Sequence, residues 1–469
     1  MAEHTDLAVI GSGPGGYRAA VLGALRGLKV SIIEKDAWGG CCLNHGCVPK
    51  KDWHHTARLL AAQPSFSERG IQGALRPDIE AAWQHQRQVV ATVQDSYAGY
   101  LAHLKVDSVQ GCARFLDAQT LEVRNDQNSS REIHAQHIII ATGASAHIPS
   151  PFPENAARVL TTDRLFTQAL PSGRRVALIG SGVVATEMAF ILTQLGCEVH
   201  WLARSPMLNR LNFSRPARDT LIKELTRQGI ELQRTKGFVA VKETQNHVHI
   251  RLEEGRELEV DWVCLGTGRK PHTQALNLTA AGINTDTQGF IQRDASLRTA
   301  NRNCFAIGDV ANSLMTANHA LAEATLAVDN IIHEADKSLD WQQIPMVVYS
   351  ALELARLGHD EDSAEDAGLE PAVGFAAFQT SPCALGQDDI SGFVRLLADM
   401  DSGAMLGGEI VGGSAGELIH LLSLAPDTQS ALRWLAKGIY NHPARAEEVL
   451  NATETLANKW GLQEPIFGG

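Results

Sequence analysis

The sequence predicts an α/β protein with two separate dinucleotide-binding units and a C-terminal α+β region. Three observations carry that expectation. A glycine-rich turn joins a strand to a helix near the N-terminus, the same pattern returns at Gly180, and the pattern changes in the last third of the chain.

The first unit starts at residues 6–10, DLAVI, an apolar run that ends in GSGPGG. A helical pattern, YRAAVLGALRGL, follows, and then a second apolar run, KVSIIE. Strand, turn, helix and strand at this spacing form a Rossmann-like unit. Gly11 allows the tight turn, Gly13 lets the backbone approach a pyrophosphate, and Gly16 allows close helix–strand packing. Glu34 closes the second strand, where a ribose hydroxyl needs an acceptor.

RVALIG leads into GSGVVA, then the helix TEMAFILTQLG and the strand EVHWLAR. Gly180 and Gly182 repeat the fingerprint, and Ala185 takes the third glycine position, which tolerates alanine. The strand ends in Ala203-Arg204, with Arg210 close behind, instead of a carboxylate. Arginines there suit a ribose 2′-phosphate and predict NADP(H) over NAD(H).

Apolar runs ending in glycine turns recur at HIIIATGAS, WVCLGTGRKP and NCFAIGDVA, and residues 47–110 read as helical. From about Ile344, strand-like pieces precede amphipathic helices, the order of a separate α+β domain. The domains expected are 1–150 and 276–343 for the first dinucleotide unit, 151–275 for the second, and 344–469 for the C-terminal region.

Composition narrows the class. The 469 residues are 44% hydrophobic with a net charge of −12, which disfavours a broad nucleic-acid-binding face. No run of eighteen apolar residues and no signal-like N-terminus appears, so a cytoplasmic chain without membrane spans is expected. Five of the eight cysteines are scattered, which fits buried thiols. The other three sit together in GGCCLNHGCVPKK, as Cys41, Cys42 and Cys47. A metal site, a structural clip and a redox-active disulfide all remain open at this point. His45, His54 and His55 lie near Cys41, but their spacing matches no common zinc pattern, and no metal is expected.

GGCCLNHGCVPKK resembles the GGTCxNxGCxPxK motif of the FAD-dependent pyridine nucleotide–disulfide oxidoreductases. ATGAS, the second glycine turn, TGRKP, AIGDVA and NHPARAEE resemble that family's other motifs in the same order. The resemblance spans essentially the whole chain. It implies an FAD domain, an inserted NAD(P) domain and a C-terminal dimerisation domain. It also implies that Cys42 and Cys47 form the redox-active disulfide, with Cys47 nearer the flavin and Cys42 attacking substrate. His442 is the implied acid–base group, oriented by Glu447 and supplied by the partner subunit of a homodimer. Lys50 or Lys51 is expected near the flavin, paired with Glu187. Asp309, Gly308 and Gly143 are implied at FAD, and Gly268 at the nicotinamide nucleotide. Cys41 stands where the family has threonine; it reads as a spectator or as a third redox thiol.

Within the family, GSGPGGY with Val21 in place of an arginine resembles dihydrolipoamide dehydrogenase, and implies a lipoyl group on a carrier protein. CVPKK, EMAFILTQLG and the Arg204/Arg210 pair resemble glutathione reductase, which makes a small disulfide the second substrate expectation. VVYSALELARLG and Ala444 depart from the usual patterns. Mercuric reductase is disfavoured by the C-terminal QEPIFGG, which lacks a cysteine pair. A reading of another class is a flavoprotein subunit that mainly binds a partner complex.

Overall fold

The run DLAVI forms the inner half of the strand Glu3–Ile10. In this computed structural model, which describes residues 3–127 and 129–457, the chain divides into two units. The first takes Met1–Trp53, Ile79–Ser172 and Thr267–Leu339; the second takes His54–Asp78, Gly173–Gly266 and the chain from Asp340 onward.

In the first unit, Glu3–Ile10 pairs in parallel with Val30–Glu34 and with Ser130–Ile140. Asp107–Gln110 and Cys304–Ala306 extend the parallel sheet. Leu7, Val9, Ile32, Ile139 and Phe305 are buried on one face, and Ala8, Ile10, Ile33, Ile138 and Ile140 on the other, so the sheet is covered on both faces. The register sets Ile10 beside Ile33 and Ile140, and Ile140 beside Ala306. The carboxyl ends of these strands therefore finish level. The turns at Gly11, Gly143 and Gly308 gather at that edge, where a parallel sheet binds its ligand.

Two elements differ from the sequence expectation. Residues 47–110 are not one helical stretch but the helices Cys47–Ala61 and Ile79–His103, followed by the strand Asp107–Gln110. Pro64, Pro77, and the left-handed backbone at Gly70 and Gly73 end the first helix and separate it from the second. A hairpin of Cys112–Phe115 and Thr120–Arg124 then adds antiparallel strands to Ser130–Ile140.

The second unit repeats the parallel plan with Leu232–Arg234, Glu198–Ala203, Arg175–Ile179 and Trp262–Leu265. Two further sheets of this unit are antiparallel: one of Phe238–Glu243, Val248–Leu252 and Glu257–Val260, and one in the order Met346–Tyr349, Glu353–Gly358, Met405–Val411, Phe393–Asp399, Pro371–Ala377. Helix Glu447–Ala457 lays Val449, Ala452 and Leu456 into the core with Leu396, Ile410 and Ile419. That spacing forms one helical stripe. Among the described residues no helix is long and apolar enough to cross a membrane. The QEPIFGG tail lies outside the described residues.

Candidate active site

Steric demands build the first nucleotide cradle. Gly11 has φ +101°, and a Cβ there would lie 2.4 Å from the Ala141 carbonyl oxygen. A Cβ on Gly16 would lie 1.9 Å from the Gly11 oxygen, so helix and turn touch. Gly13 faces Gly40, whose added Cβ would come within 2.6 Å of the Gly13 Cα. Two glycine turns thus oppose each other across a space that side chains would fill. The helix Pro14–Leu25 starts there, and its N-terminus favours a phosphate. This cradle fits the pyrophosphate of FAD.

Glu34 is fixed beside the cradle. Ser12 donates to its Oε2 from both N (2.9 Å) and Oγ (2.6 Å), and the Asp36 amide donates to Oε1 (2.9 Å). Opposite, the buried Glu323 takes the Gly308 amide (2.6 Å), Arg293 (2.7 Å) and Asn312 (2.9 Å). Glu323 therefore shapes the turn that presents Asp309. Burial raises Asp309 above the usual carboxylate range, while the Arg269 charge opposes that shift. Gly143 has φ +68° with open space around its Cα.

The cysteine segment folds as the short helix Gly40–Asn44, one turn, and the helix Cys47–Ala61. Asn44 pins this loop: its Nδ2 donates to the carbonyls of Trp38 (3.0 Å) and Gly40 (2.9 Å), and Gln94 donates to its Oδ1 (2.6 Å). Cys42 and Cys47 are both thiols. A hydrogen bond with Cys47 pushes the Cys42 pKa well up, burial adds to this, and the charge of Lys50 pulls it down. Cys47 is exposed at its helix N-terminus, where backbone N–H groups favour a thiolate. Lys50 is half-buried and Lys51 exposed. Tyr97, stacked on Tyr17 with ring centroids 4.0 Å apart, also feels both thiols.

Cys41 has a different setting. Arg269 Nη2 lies 3.1 Å from its Sγ, and Asp163 Oδ1 lies 3.9 Å away. The same oxygen is 3.5 Å from Arg269 Nη1 and 4.0 Å from His45 Nδ1. Potential ligand atoms of Cys41, His45 and Asp163 lie within 4.8 Å of one another, but the adjacent guanidinium opposes a cation. His54 is elsewhere: it is buried, bonded to the Ser350 carbonyl (3.0 Å) and packed on Phe190 and Tyr349. His55 is exposed. Burial pushes the Cys41 thiol up to about 12, which leaves almost no nucleophilic thiolate at neutral pH. Cys41→Thr is therefore expected to keep turnover within a few-fold; a trapped Cys41–substrate adduct would refute the spectator role.

The second unit repeats the cradle. Gly180 has φ +129°, and a Cβ there would lie 2.3 Å from the Gly266 oxygen. Ala185 is buried against Gly266, and the space around Gly182 is open. Trp201 Nε1 donates to the Gly180 carbonyl (2.7 Å). Arg204 and Arg210 are exposed just past the strand Glu198–Ala203. Arg234, which the sequence reading missed, donates to the Arg204 carbonyl from the neighbouring strand. Glu187 is buried, and its Oε1 accepts from the Tyr349 amide (2.8 Å). Gly268, in the first unit, has φ +99°. In the C-terminal region, His442 Nδ1 lies 2.8 Å from Glu447 Oε1, and the Ala444 amide donates to Oε2 (2.7 Å). Those two bonds, the amide's first, hold Glu447 below the usual carboxylate range.

A paired dithiol beside one dinucleotide cradle, in a chain with a second such cradle, defines an oxidoreductase that links a nicotinamide to thiol chemistry. Comparison with known proteins agrees. The model of the pyridine nucleotide-disulphide oxidoreductase family matches residues 5–324, and that of its dimerisation domain matches residues 344–453. The chain belongs to this family of FAD-binding oxidoreductases. It is 32% identical to the dihydrolipoyl dehydrogenase of Thermus scotoductus over 461 residues, covering 96% of this chain and 97% of the relative. The Staphylococcus aureus dihydrolipoyl dehydrogenase is 31% identical over 456 residues, 96% of each chain. Among solved structures, LpdA from Mycobacterium tuberculosis shares the fold with a TM-score of 0.89 at 22% identity, over 96% of this chain and 99% of that one. The Cu(II) complex of the Escherichia coli HOCl-induced flavoprotein disulfide reductase RclA matches with a TM-score of 0.84 at 25% identity, over 99% and 100%.

Proposed function

We propose that this chain exchanges electron pairs between NADP(H) and a lipoyl dithiol on a carrier protein, as a cytoplasmic homodimer with shared active sites. The observation that carries the reaction type is the Cys42–Cys47 thiol pair beside the Gly11–Gly16 cradle. The dihydrolipoyl dehydrogenases among its relatives support the lipoyl substrate. Bound FAD would supply the hydride acceptor between nicotinamide and dithiol, held by Gly11, Gly13, Gly16, Glu34 and Asp309.

This chain's own residues do the thiol chemistry. Cys42 attacks or leaves the substrate sulfur, Cys47 closes the internal disulfide, and His442 takes or returns the proton. Glu447 holds the imidazole through Nδ1, leaving Nε2 for the thiol. Lys50 places its charge on the dithiol, where it lowers the pKa of Cys42.

Turnover of the purified flavoprotein with dihydrolipoamide, lipoamide and glutathione disulfide, each with both nicotinamides, tests the substrate. Glutathione disulfide as the better substrate would favour the second reading, a glutathione-reductase-like enzyme. No turnover with any of them would favour a flavoprotein subunit that mainly binds a partner complex.

The nicotinamide preference rests on Arg204, Arg210 and the Arg234 bond that holds the Arg204 carbonyl. Charge-assisted contacts to a 2′-phosphate are strong, even after allowance for exposure. Arg204→Ala should raise KM for NADP(H) about ten-fold and leave NAD(H) kinetics unchanged. Equal or better wild-type kinetics with NAD(H) would refute the preference.

A further inference from the structure

Between His442 and Glu447 only one residue is buried, and it is an arginine. His442 itself is exposed, and the bonds that Glu447 makes to His442 and Ala444 close the loop on itself. Those bonds set the shape of the loop but not its place on the scaffold. The helix Glu447–Ala457 anchors one end of the loop, and the Arg445 side chain, 5% exposed, ties its middle to the scaffold. Its Nε donates to Gln387 Oε1 (3.1 Å), and its Nη2 donates to the Asp389 carbonyl (2.9 Å) and pairs with Asp389 Oδ2 (2.9 Å). The guanidinium also lies over the buried Phe378 ring, 4.9 Å from its centroid.

The pocket is tight. A Cβ on Gly413 would come 1.9 Å from Asp389 Oδ2 and 3.0 Å from Arg445 Cζ, so the backbone closes directly over the ion pair. Arg58 stands 3.7 Å from the same Asp389 oxygen.

A buried charge at this point needs a reason other than stability. Well-packed apolar residues in place of a buried ion pair are often as stable or more so. Here Arg445 Nη1 is buried with no hydrogen-bond partner among the described residues, a further cost. The flat guanidinium fork, in contrast to an aliphatic side chain, accepts only one orientation against Asp389 and Gln387. Because misplacing a reacting group by about 1 Å can cost on the order of 10²-fold in rate, we infer that Arg445, clamped by Asp389, is the positioning residue of the His442–Glu447 pair. This rests on the acid–base reading of His442.

The test uses the FAD-loaded holoenzyme with Arg445→Met, Arg445→Lys, Asp389→Asn and His442→Ala. Reduction by dihydrolipoamide is followed against pH, and reduction by NADPH and the melting temperature are measured alongside. Arg445→Met and Asp389→Asn should each slow the dithiol step roughly ten- to hundred-fold. They should also change the pH profile of that step, because the contact that holds the imidazole is loosened. Reduction by NADPH should stay within two-fold of wild type, and Arg445→Lys should recover part of the loss. A wild-type rate and pH profile in Arg445→Met, beside a slow His442→Ala, would overturn the positioning role. So would equal losses in both half-reactions with a lowered melting temperature and no recovery in Arg445→Lys, since that is general destabilisation. A wild-type His442→Ala would instead refute the acid–base reading itself.

Discussion

Cys42→Ser should reduce turnover with every dithiol or disulfide substrate to the assay blank while FAD stays bound. Thiol–disulfide exchange needs a sulfur that can attack, form the mixed disulfide and leave again. A serine hydroxyl can do none of these steps. The hydrogen bond with Cys47 and burial hold the Cys42 proton in place at neutral pH. Its exchange rate should therefore rise with pH as the thiolate fraction grows, until a base relieves the need. Cys47 is set apart by its place at the start of the helix Cys47–Ala61, which favours its thiolate. The Cys42→Ser protein should thus keep the long-wavelength absorbance that a thiolate gives beside an oxidised flavin, and Cys47→Ser should lose it. A Cys47→Ser protein with the full band, or a Cys42→Ser protein that still turns over, would reverse the two assignments.

Both nucleotide cradles were legible because they depend on what a residue lacks. Gly11, Gly16 and Gly180 sit where a Cβ would strike backbone, so their spacing appears directly in the chain. Glu34 was legible because it closes a strand at a known offset from such a turn. The groups that finish the site were not. Glu323 reaches the Gly308 turn from a helix, and Arg293 comes to it from a separate loop. Asp163 meets Arg269 from more than a hundred positions away, in a segment with no periodicity to mark it. Asn44, by contrast, stands inside the motif GGCCLNHGCVPKK, and its spacing could have identified it as the loop's pin. The break after Cys47–Ala61 was legible in principle: Pro64, Gly70, Gly73 and Pro77 follow the helix closely. An apolar–polar repeat resuming beyond them hid the gap.

His442→Ala should slow disulfide exchange by about 10²–10⁴-fold, the range of a positioned acid–base group. The raised pKa of Cys42 makes that base necessary: few Cys42 thiols ionise unaided at neutral pH. The imidazole can take the proton, and the Glu447 carboxylate 2.8 Å from Nδ1 fixes its tautomer. Reduction by the nicotinamide should be nearly untouched, because no thiol proton moves in that step. The two half-reactions, measured separately, therefore distinguish a lost base from a damaged fold. The same variant tests the proposed sharing of sites between subunits. Cys42→Ser and His442→Ala chains are each inactive in exchange, but a mixed dimer would hold one site with both defects and one with neither. Mixing them under conditions of subunit exchange should restore activity toward half the wild-type value per mixed dimer. Exchange demonstrated by mass, without recovered turnover, would mean that His442 serves the disulfide of its own chain or none.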